Sequence, residues 1–333
     1  MPIPDPSAYT VRRLTPADAA YVPELTIRVN GPRYIHAEMY HPERLIRLNQ
    51  SGELVSVVAL IEGCEVVGHL ALERPGLNPI AESGEAMVLP EHQHHHLLDR
   101  MRSLLEDEAR RERLTGIYGN TVTHHVFSQK TEERFGAQPI AMLLGASPAA
   151  AHRDAEKLPQ RVSLLTYFKF IAAPGEFAAY APRRHRDAIA RLYSLIGRRV
   201  AFLEPAAANG EVALESSIDS KIDRASIRVR RAGANAAARL AEERDRVCRE
   251  GGAKVAYLSV PLADPGAEDL CEQAEASGFF FCGIEPRPAG ESHLIKMQFL
   301  DAPIDFSLIQ IDSAAARELA SYVAGERDRI ARL

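Results

Sequence analysis

The sequence lacks several features that mark whole classes of protein. Nowhere in its 333 residues is there the uninterrupted apolar run of about 20 residues that a membrane span requires. Lysine and arginine (40) do not exceed aspartate and glutamate (45), and the resulting net charge of −5 argues against nucleic acid as the main partner. The four cysteines are scattered, and the first residues contain no apolar signal-peptide core. We therefore expect a soluble cytoplasmic protein without a membrane or nucleic-acid partner.

The composition that is present fits a globular protein with more than one domain. Apolar residues make up 46% and charged residues 26% of the chain, and about 150 residues per domain predicts two domains. Most of the 12 histidines lie in the first part of the chain, and four of them (His92, His94, His95 and His96) fall within one short segment. This segment is the most unusual feature of the composition.

Hydrophobic patterning in the first half predicts alternating strands and helices. Thr15, Pro16 and Asp18 form a helix-start signal for a helix that runs to about residue 30. Apolar residues at helical spacing from Leu97 onwards predict an amphipathic helix, and a further helix is predicted over 124–134. The predicted strands are 9–15, 54–61, 65–73, 85–89, 116–122, 140–144 and 162–171. Strands that alternate with helices in this way are typical of a mixed α/β sheet.

The second half repeats this order of elements. Strands are predicted over 226–231, 255–260 and 279–284, with helices over 235–250 and 267–276 and a C-terminal helix capped by Ser313. The segment FIAAPGEF at 170–177 echoes FLDAPIDF at 299–306, and each copy leaves a strand through Ala-Pro. We therefore predict two related domains, 1–173 and 174–333, produced by duplication. Chance similarity between generic α/β segments is the alternative.

Several segments of the first half carry a resemblance to a known family. They are VRRLTPAD at 11–18, VVGHL at 66–70, MVLPEHQ at 87–93 before the amphipathic helix, and RFG at 134–136. In their order and spacing, residues 9–171 resemble the GNAT superfamily of acyl-CoA-dependent N-acyltransferases. The resemblance implies an α/β (α+β) fold with two GNAT-like mixed-sheet domains in tandem, of which the second is a degenerate copy.

The resemblance also implies a cofactor-binding loop. In that family the loop after the fourth strand usually reads Gln/Arg-x-x-Gly-x-Gly/Ala, and its N–H groups hold the coenzyme A pyrophosphate at a helix N-terminus. Here Gln93 matches, whereas His96 and Leu98 occupy positions where small residues are expected. The residues assigned to acyl-CoA binding are Met87, Val88, Leu89, Gln93, His94, His95, His96, Leu97, Leu98, Asn120, His124 and His125.

Acyl transfer to an amine requires a base for the nucleophile and stabilisation of the departing thiolate. The resemblance places the base on the fourth strand, where Glu85 is the candidate and Glu82 the second choice. The family's acid, a tyrosine in the later helix, is replaced by Glu132. Tyr118 and Asn120 could line the acyl channel. An ordinary solvent-facing strand position is the alternative for Glu85.

The histidine-rich segment also invites a metal interpretation, because neutral imidazoles bind zinc, copper and nickel. Consecutive histidines on one loop do not readily converge on a single ion, and the sequence contains no HExxH pattern. We therefore expect no metal cofactor, and a histidine-rich turn at a helix start instead.

The resemblance implies an N-acyltransferase that moves an acetyl or other acyl group from acetyl-CoA, or another acyl-CoA, to an amine on a small molecule or a protein. A non-catalytic acyl-CoA-sensing or regulatory module is the alternative, and a purely structural interaction protein is a third. The C-terminal domain would shape the acceptor cleft or mediate contact with a second copy or a protein partner. Acceptor pockets are built by variable loops such as residues 31–44, which carry no transferable code.

Overall fold

The computed structural model describes residues 8–32, 34–62, 65–93, 95–152, 155–172, 175–288 and 290–333. The described residues form two compact units. The first unit holds the chain up to Asn120 with short segments from 150–155 and 170–172, and the second holds the remainder. The division into domains 1–173 and 174–333 stays a prediction, and so does their origin by duplication.

The described part of the first unit is an α/β sheet with its helices. The strands are β1 (Tyr9–Arg13), β2 (Leu54–Ile61), β3 (Glu65–Glu73), β4 (Ile80–Val88) and β5 (Gly116–Val122), and the α-helices are α1 (Val22–Asn30), α2 (Pro42–Ser51) and α3 (Leu97–Arg111). Strands β1 to β4 pair antiparallel in sequence order, whereas β4 and β5 run parallel with α3 between them in the chain. Parallel neighbours need a long crossover connection, and the segment that contains α3 provides it.

The core of the first unit explains the position of α3. Nearly every residue of β2 and β3 is buried, as expected for central strands with apolar runs. Helix α3 buries Leu97, Met101, Leu105 and Ala109, which recur at helical spacing and join the same core. Because Leu97, the first residue of α3, is buried in this core, the packing fixes the position of the helix start and of the loop that leads into it.

The second unit contains a mixed sheet in the order β7–β6–β13–β14–β12–β11–β10 and a separate parallel pair, β8–β9. Its strands are β6 (Gln138–Ser147), β7 (Val162–Phe170), β8 (Phe177–Ala179), β9 (Val200–Phe202), β10 (Ala213–Asp219), β11 (Arg224–Arg231), β12 (Val255–Pro261), β13 (Phe280–Glu285) and β14 (Leu294–Leu300). Its α-helices are α4 (Phe127–Arg134), α5 (Arg186–Leu195), α6 (Ala236–Asp245), α7 (Ala267–Ala276) and α8 (Ala314–Ile330). Strands β11 and β12 run parallel, with α6 between them in the chain.

The structure confirms the mixed α/β class and many of the predicted elements. The predicted bounds of β2, β3, β5 and α7 match those observed, and α3 begins at Leu97. Ser313 caps α8, because its Oγ accepts a hydrogen bond of 3.2 Å from the Ala316 N–H. None of the described helices combines the length and the apolar character that crossing a bilayer demands.

Several predicted boundaries were wrong, among them the starts of three elements. Helix α1 begins at Val22, because the Thr15 N–H and Oγ1 both donate to the Asp18 carboxylate and form a turn, and Arg12 donates to the same carboxylate. Strand β4 begins at Ile80, because backbone pairing on both sides extends it through residues of low strand propensity. Helix α4 begins at Phe127, and the two histidines predicted to open it precede it.

Candidate functional site

Strand β4 is interrupted by a bulge at Glu85. Its register with β3 shifts between the pairs Ala71–Gly84 and His69–Met87, and Glu85 has a φ of 50°. A left-handed conformation costs a non-glycine residue about 1–2 kcal/mol, and such residues cluster at functional sites. The Glu85 side chain is almost fully buried. The sequence therefore tolerates backbone strain and a buried carboxyl group at the position predicted to hold the base.

The pairing of β4 with β5 ends shortly before this bulge. Among the described residues, the two strands pair at Ile80–Gly116, Ala81–Ile117 and Glu82–Tyr118, although β4 continues to Val88. At the last of these pairs, Glu82 accepts hydrogen bonds from the Tyr118 hydroxyl (3.0 Å) and from Asn120 Nδ2 (2.8 Å). Glu82 is thus held beside β5, and Glu85 lies beyond the part of β4 that pairs with β5.

Three carboxylates meet one imidazole next to the bulge. His36 Nδ1 lies 3.0 Å from Glu85 Oε1, 3.2 Å from Glu38 Oε1 and 4.0 Å from Glu73 Oε2. His36 and Glu38 come from the segment between α1 and α2, whereas Glu73 ends β3 and Glu85 lies on β4. We call these four residues the His36 cluster. The fold brings together residues that are distant in sequence and that no motif links.

The cluster shifts the titration of its members. Burial alone lowers the pKa of His36, but the carboxylates of Glu38 and Glu85 outweigh it and raise that pKa to about 10. Burial, followed by the charge of Glu85, raises the pKa of Glu73 to about 7. Burial and nearby carboxylates also raise the pKa of Tyr34, whose ring lies 5.0 Å from that of His36. The cluster therefore stabilises positive charge and disfavours further negative charge.

We expect the His36 imidazole to remain protonated well above neutral pH. With its pKa raised to about 10, compared with about 6.5 in an unfolded chain, its favourable pairing is complete below pH 6.5 and is lost as the pH rises through 10. Nitrogen-15 NMR of the histidine rings, with the His36 signal assigned from its loss in His36→Gln, would measure the midpoint. A midpoint near 6.5 would contradict the cluster geometry.

The buried acceptors around the bulge lack donors. Neither carboxylate oxygen of Glu85 accepts a hydrogen bond from the described residues, although Oε1 faces His36. His69 Nδ1 donates to the Glu85 carbonyl at 3.1 Å, which leaves its fully buried Nε2 as an acceptor without a donor in the described part of the chain. Burial lowers the pKa of His69 and keeps this ring neutral. Buried acceptors of this kind usually meet a partner, so a ligand with N–H groups would complete the site.

The loop after β4 brings several histidines to the start of α3. The Tyr9 hydroxyl lies 2.9 Å from His92 Nδ1, and the Tyr9 ring lies 4.9 Å from that of His95. His96 precedes α3 with a φ of 55°, its side chain is 81% exposed, and it pairs with Asp99 at 3.2 Å. The side chain of His96 therefore lies largely in solvent.

The remaining predicted residues fall into several groups. Met87 and Leu89 are buried, Val88 and Leu98 are half-buried, and Gln93 is exposed. His94 lies outside the described residues. His124 and His125 belong to the second unit, where their rings pack edge to face at 4.6 Å. Burial lowers the pKa of His125. Unlike these two histidines, the bulge at Glu85, the loop after β4 and the His36 cluster all belong to the first unit.

Sequence reasoning missed His36, Glu38 and Glu73 as site residues. The only available signal was the expectation that residues 31–44 shape an acceptor pocket, and that expectation singled out no residue. Glu73 reads as the polar end of an apolar strand, and such ends are common. Only the register of β3 with β4 shows that Glu73 lies directly opposite Glu82.

A second polar cluster, in the second unit, is already complete. His185 lies 2.7 Å from the Tyr322 hydroxyl through Nδ1 and 3.1 Å from Glu275 Oε1 through Nε2. Arg329 then pairs with both Glu275 (2.7 Å) and Glu326 (2.5 Å). A surface cleft of about 530 Å³ adjoins this network. Because a guanidinium group already balances the carboxylates, this cluster has no evident need for a ligand.

Comparison with known proteins finds likeness only among solved structures. No family model and no curated protein matches the chain. A structure described as a GNAT-family acetyltransferase from Desulfovibrio desulfuricans is 16% identical and covers 50% of this chain and 100% of its own, with a TM-score of 0.39. The ribosomal-protein-S18-alanine N-acetyltransferase of Escherichia coli is 14% identical and covers 49% of this chain and 94% of its own, with a TM-score of 0.39. A mutant spermidine/spermine N-acetyltransferase of Vibrio cholerae is 15% identical and covers 50% of this chain and 95% of its own, with a TM-score of 0.39.

Proposed function

We propose that the first unit is an N-acyltransferase that moves an acetyl or other acyl group from acyl-CoA to an amine. The observation that carries the proposal is Glu85, a buried carboxyl group on a strained bulge with no hydrogen-bond donor among the described residues. A base that faces an amine needs such an unsatisfied acceptor, and strain at such a position favours a functional role over a structural one. The role of the second unit in this reaction stays a prediction.

Two features of the first unit suit acyl-CoA. Beyond Glu82, the side of β4 that pairs with β5 offers backbone groups to an extended ligand, and the pantetheine arm of coenzyme A contains amides that can pair with them. The first hydrogen bond of α3 runs from the Arg100 N–H to the His96 carbonyl, so the N–H groups of Leu97 and Leu98 must find acceptors outside the helix. A helix start of this kind favours a phosphate group.

The chemistry assigns a proton transfer to Glu85. The amine nitrogen bonds to the thioester carbonyl carbon, the carbon–sulfur bond breaks, and the sulfur leaves as a thiolate that takes up a proton. Glu85 accepts the proton that the amine loses, directly or through one water molecule. His36, which lies 3.0 Å from Glu85 Oε1, holds a positive charge beside this carboxylate.

Calorimetry with acetyl-CoA and with CoA tests the proposal at the cofactor. We expect both to bind, and we expect His96→Glu to weaken binding by about tenfold, because it adds negative charge where the pyrophosphate would lie (about 1.4 kcal/mol). Ser103→Glu is the matched control, since it adds the same charge to an exposed position within α3 and should leave affinity nearly unchanged. The absence of binding at millimolar ligand would overturn the proposal.

Thiol release from acetyl-CoA across a panel of amines separates the enzyme from the sensor. The proposal expects release with at least one amine. Tight acyl-CoA binding without release for any amine would favour the acyl-CoA-sensing module instead. If no acyl-CoA binds at all, the remaining hypothesis is a purely structural interaction protein.

A further inference from the structure

The His36 cluster and its neighbour Glu82 hold more negative than positive charge. Glu38, Glu73 and Glu85 surround His36 Nδ1 within 4.0 Å. Glu82 lies directly opposite Glu73 across β3 and β4, where like charges are destabilising. Among the described residues, the cations in contact with these four carboxylates are His36 and the half-exposed Arg44, which lies 3.8 Å from Glu38. Four carboxylates thus share two cations.

The shortage of positive charge and of hydrogen-bond donors is greatest at Glu85, where solvent does not reach the carboxylate. The Glu85 side chain is 1% exposed, and its Oε2 has neither a hydrogen-bond donor nor an ion-pair partner in the described part of the chain. The Nε2 of His69, fully buried beside it, is a second acceptor without a donor among those residues. Burying acceptors that lack a donor is unfavourable, because they lose their hydrogen bonds to water without a replacement. The natural complement is a ligand that brings both positive charge and N–H groups.

We propose that the acceptor is a diamine or longer polyamine, with one amino group at Glu85 and a second, still an ammonium, held by Glu38 and Glu73. This inference rests on the proposed function and names the substrate class of the same site. An ammonium group supplies the three donors that the cluster lacks. Glu38 and Glu73 lie beside the same imidazole as Glu85, and Glu82 lies opposite Glu73, so more than one carboxylate is available for the separated charges of one flexible chain.

Binding without acyl-CoA tests this inference separately from catalysis. Calorimetry on metal-free protein compares 1,4-diaminobutane and spermidine with n-butylamine, which has the same carbon chain as the diamine but one amino group. We expect the diamine to bind at least about tenfold more tightly, and spermidine at least as tightly as the diamine, since each tenfold step corresponds to about 1.4 kcal/mol. Equal affinity for diamine and monoamine would overturn the inference.

Substitutions of Glu38 and Glu73 test where the second ammonium group of the diamine binds. Glu73→Gln, at a partly exposed position, and Glu38→Gln should each lower diamine affinity severalfold, and the double variant should lower it to the monoamine level. All three should leave n-butylamine affinity within about twofold, because one ammonium–carboxylate contact at Glu85 remains. Glu24→Gln, which removes an exposed carboxylate elsewhere in the first unit, is the matched control and should change nothing.

Two further outcomes are distinguishable. Diamine binding without thiol release would overturn the proposed transferase but not the preference of the site, whereas equal turnover of monoamine and diamine would overturn the preference but not the transferase. A divalent ion could use the same oxygen and nitrogen atoms, which lie within 4.8 Å of one another in His36, Glu38 and Glu85. Titration with Mn²⁺ and Zn²⁺ covers that case, because submicromolar binding that diamines cannot displace would assign the cluster to a metal.

Discussion

Glu85→Gln should lower the rate of acyl transfer by about 10²–10⁴-fold, the usual contribution of a general base. The amide has nearly the same shape as the carboxylate but cannot take up the amine proton. The affinity for acetyl-CoA should stay within about twofold, because the proposed pyrophosphate and pantetheine contacts involve other residues. Thiol release with an amine that the wild-type protein accepts measures the rate, and calorimetry measures the affinity.

The same variant separates a base from a buried structural residue. Glu85→Gln replaces the carboxylate that faces His36 with an amide of nearly the same shape, and Glu38 still pairs with His36, so the melting temperature should change little. A rate loss with unchanged stability therefore indicates chemistry, whereas a rate loss that follows the stability indicates packing. Glu24→Gln serves again as the control of equal charge change. Unchanged turnover in Glu85→Gln would remove this residue from the mechanism.

Gly283→Ala should destabilise the second unit. Gly283 on β13 pairs with Ala141 on β6, and an added Cβ would lie 2.4 Å from the Ile140 carbonyl oxygen and 2.5 Å from the Ala141 Cα. These are backbone atoms that cannot rotate away, and the φ of 152° is one that side-chain-bearing residues rarely adopt. Overpacking of this kind costs about 1–3 kcal/mol, and strain adds to it.

A helical glycine provides the control for this prediction. Gly325 lies exposed on α8, and a Cβ added there meets no atom within 4 Å. Gly325→Ala should therefore stabilise the protein by about 0.5–1 kcal/mol, because alanine loses less backbone freedom in a helix. Thermal unfolding of the two variants should shift in opposite directions, by about 2–4 °C per kcal/mol. An unchanged transition in Gly283→Ala would show that β13 and β6 can separate at little cost.

Elements with strong local patterns could be predicted from the sequence. Strands β2 and β3 are apolar runs with a glycine between them, and α3 repeats its apolar residues at helical spacing, so local chemistry alone defines them. Strand β4 starts earlier than predicted, because its first residues are held by pairing with β3 and β5 rather than by propensity. Helix α2 was missed, although it begins with a proline and its apolar side chains lie on one face.

The candidate site divides in the same way. Glu85 could be named in advance because the segments around it resemble a known family in order and spacing. The strain at Glu85 could not be predicted, because a bulge depends on the register with β3, which is a property of two strands together. The loop before α3 was placed correctly, but the exposure of its His96 side chain depends on a backbone angle that the residue type disfavours.

By itself the sequence determined the α/β class, the strongest strands and helices, and one candidate base, since these follow from local periodicity and from ordered short segments. Only the tertiary structure decided that His36 and Glu38, from a loop, and Glu73, from the end of a strand, meet at that base. The physical reason is that charge balance is a property of positions in space. Residues far apart in the chain become one electrostatic unit only when the sheet register brings them together.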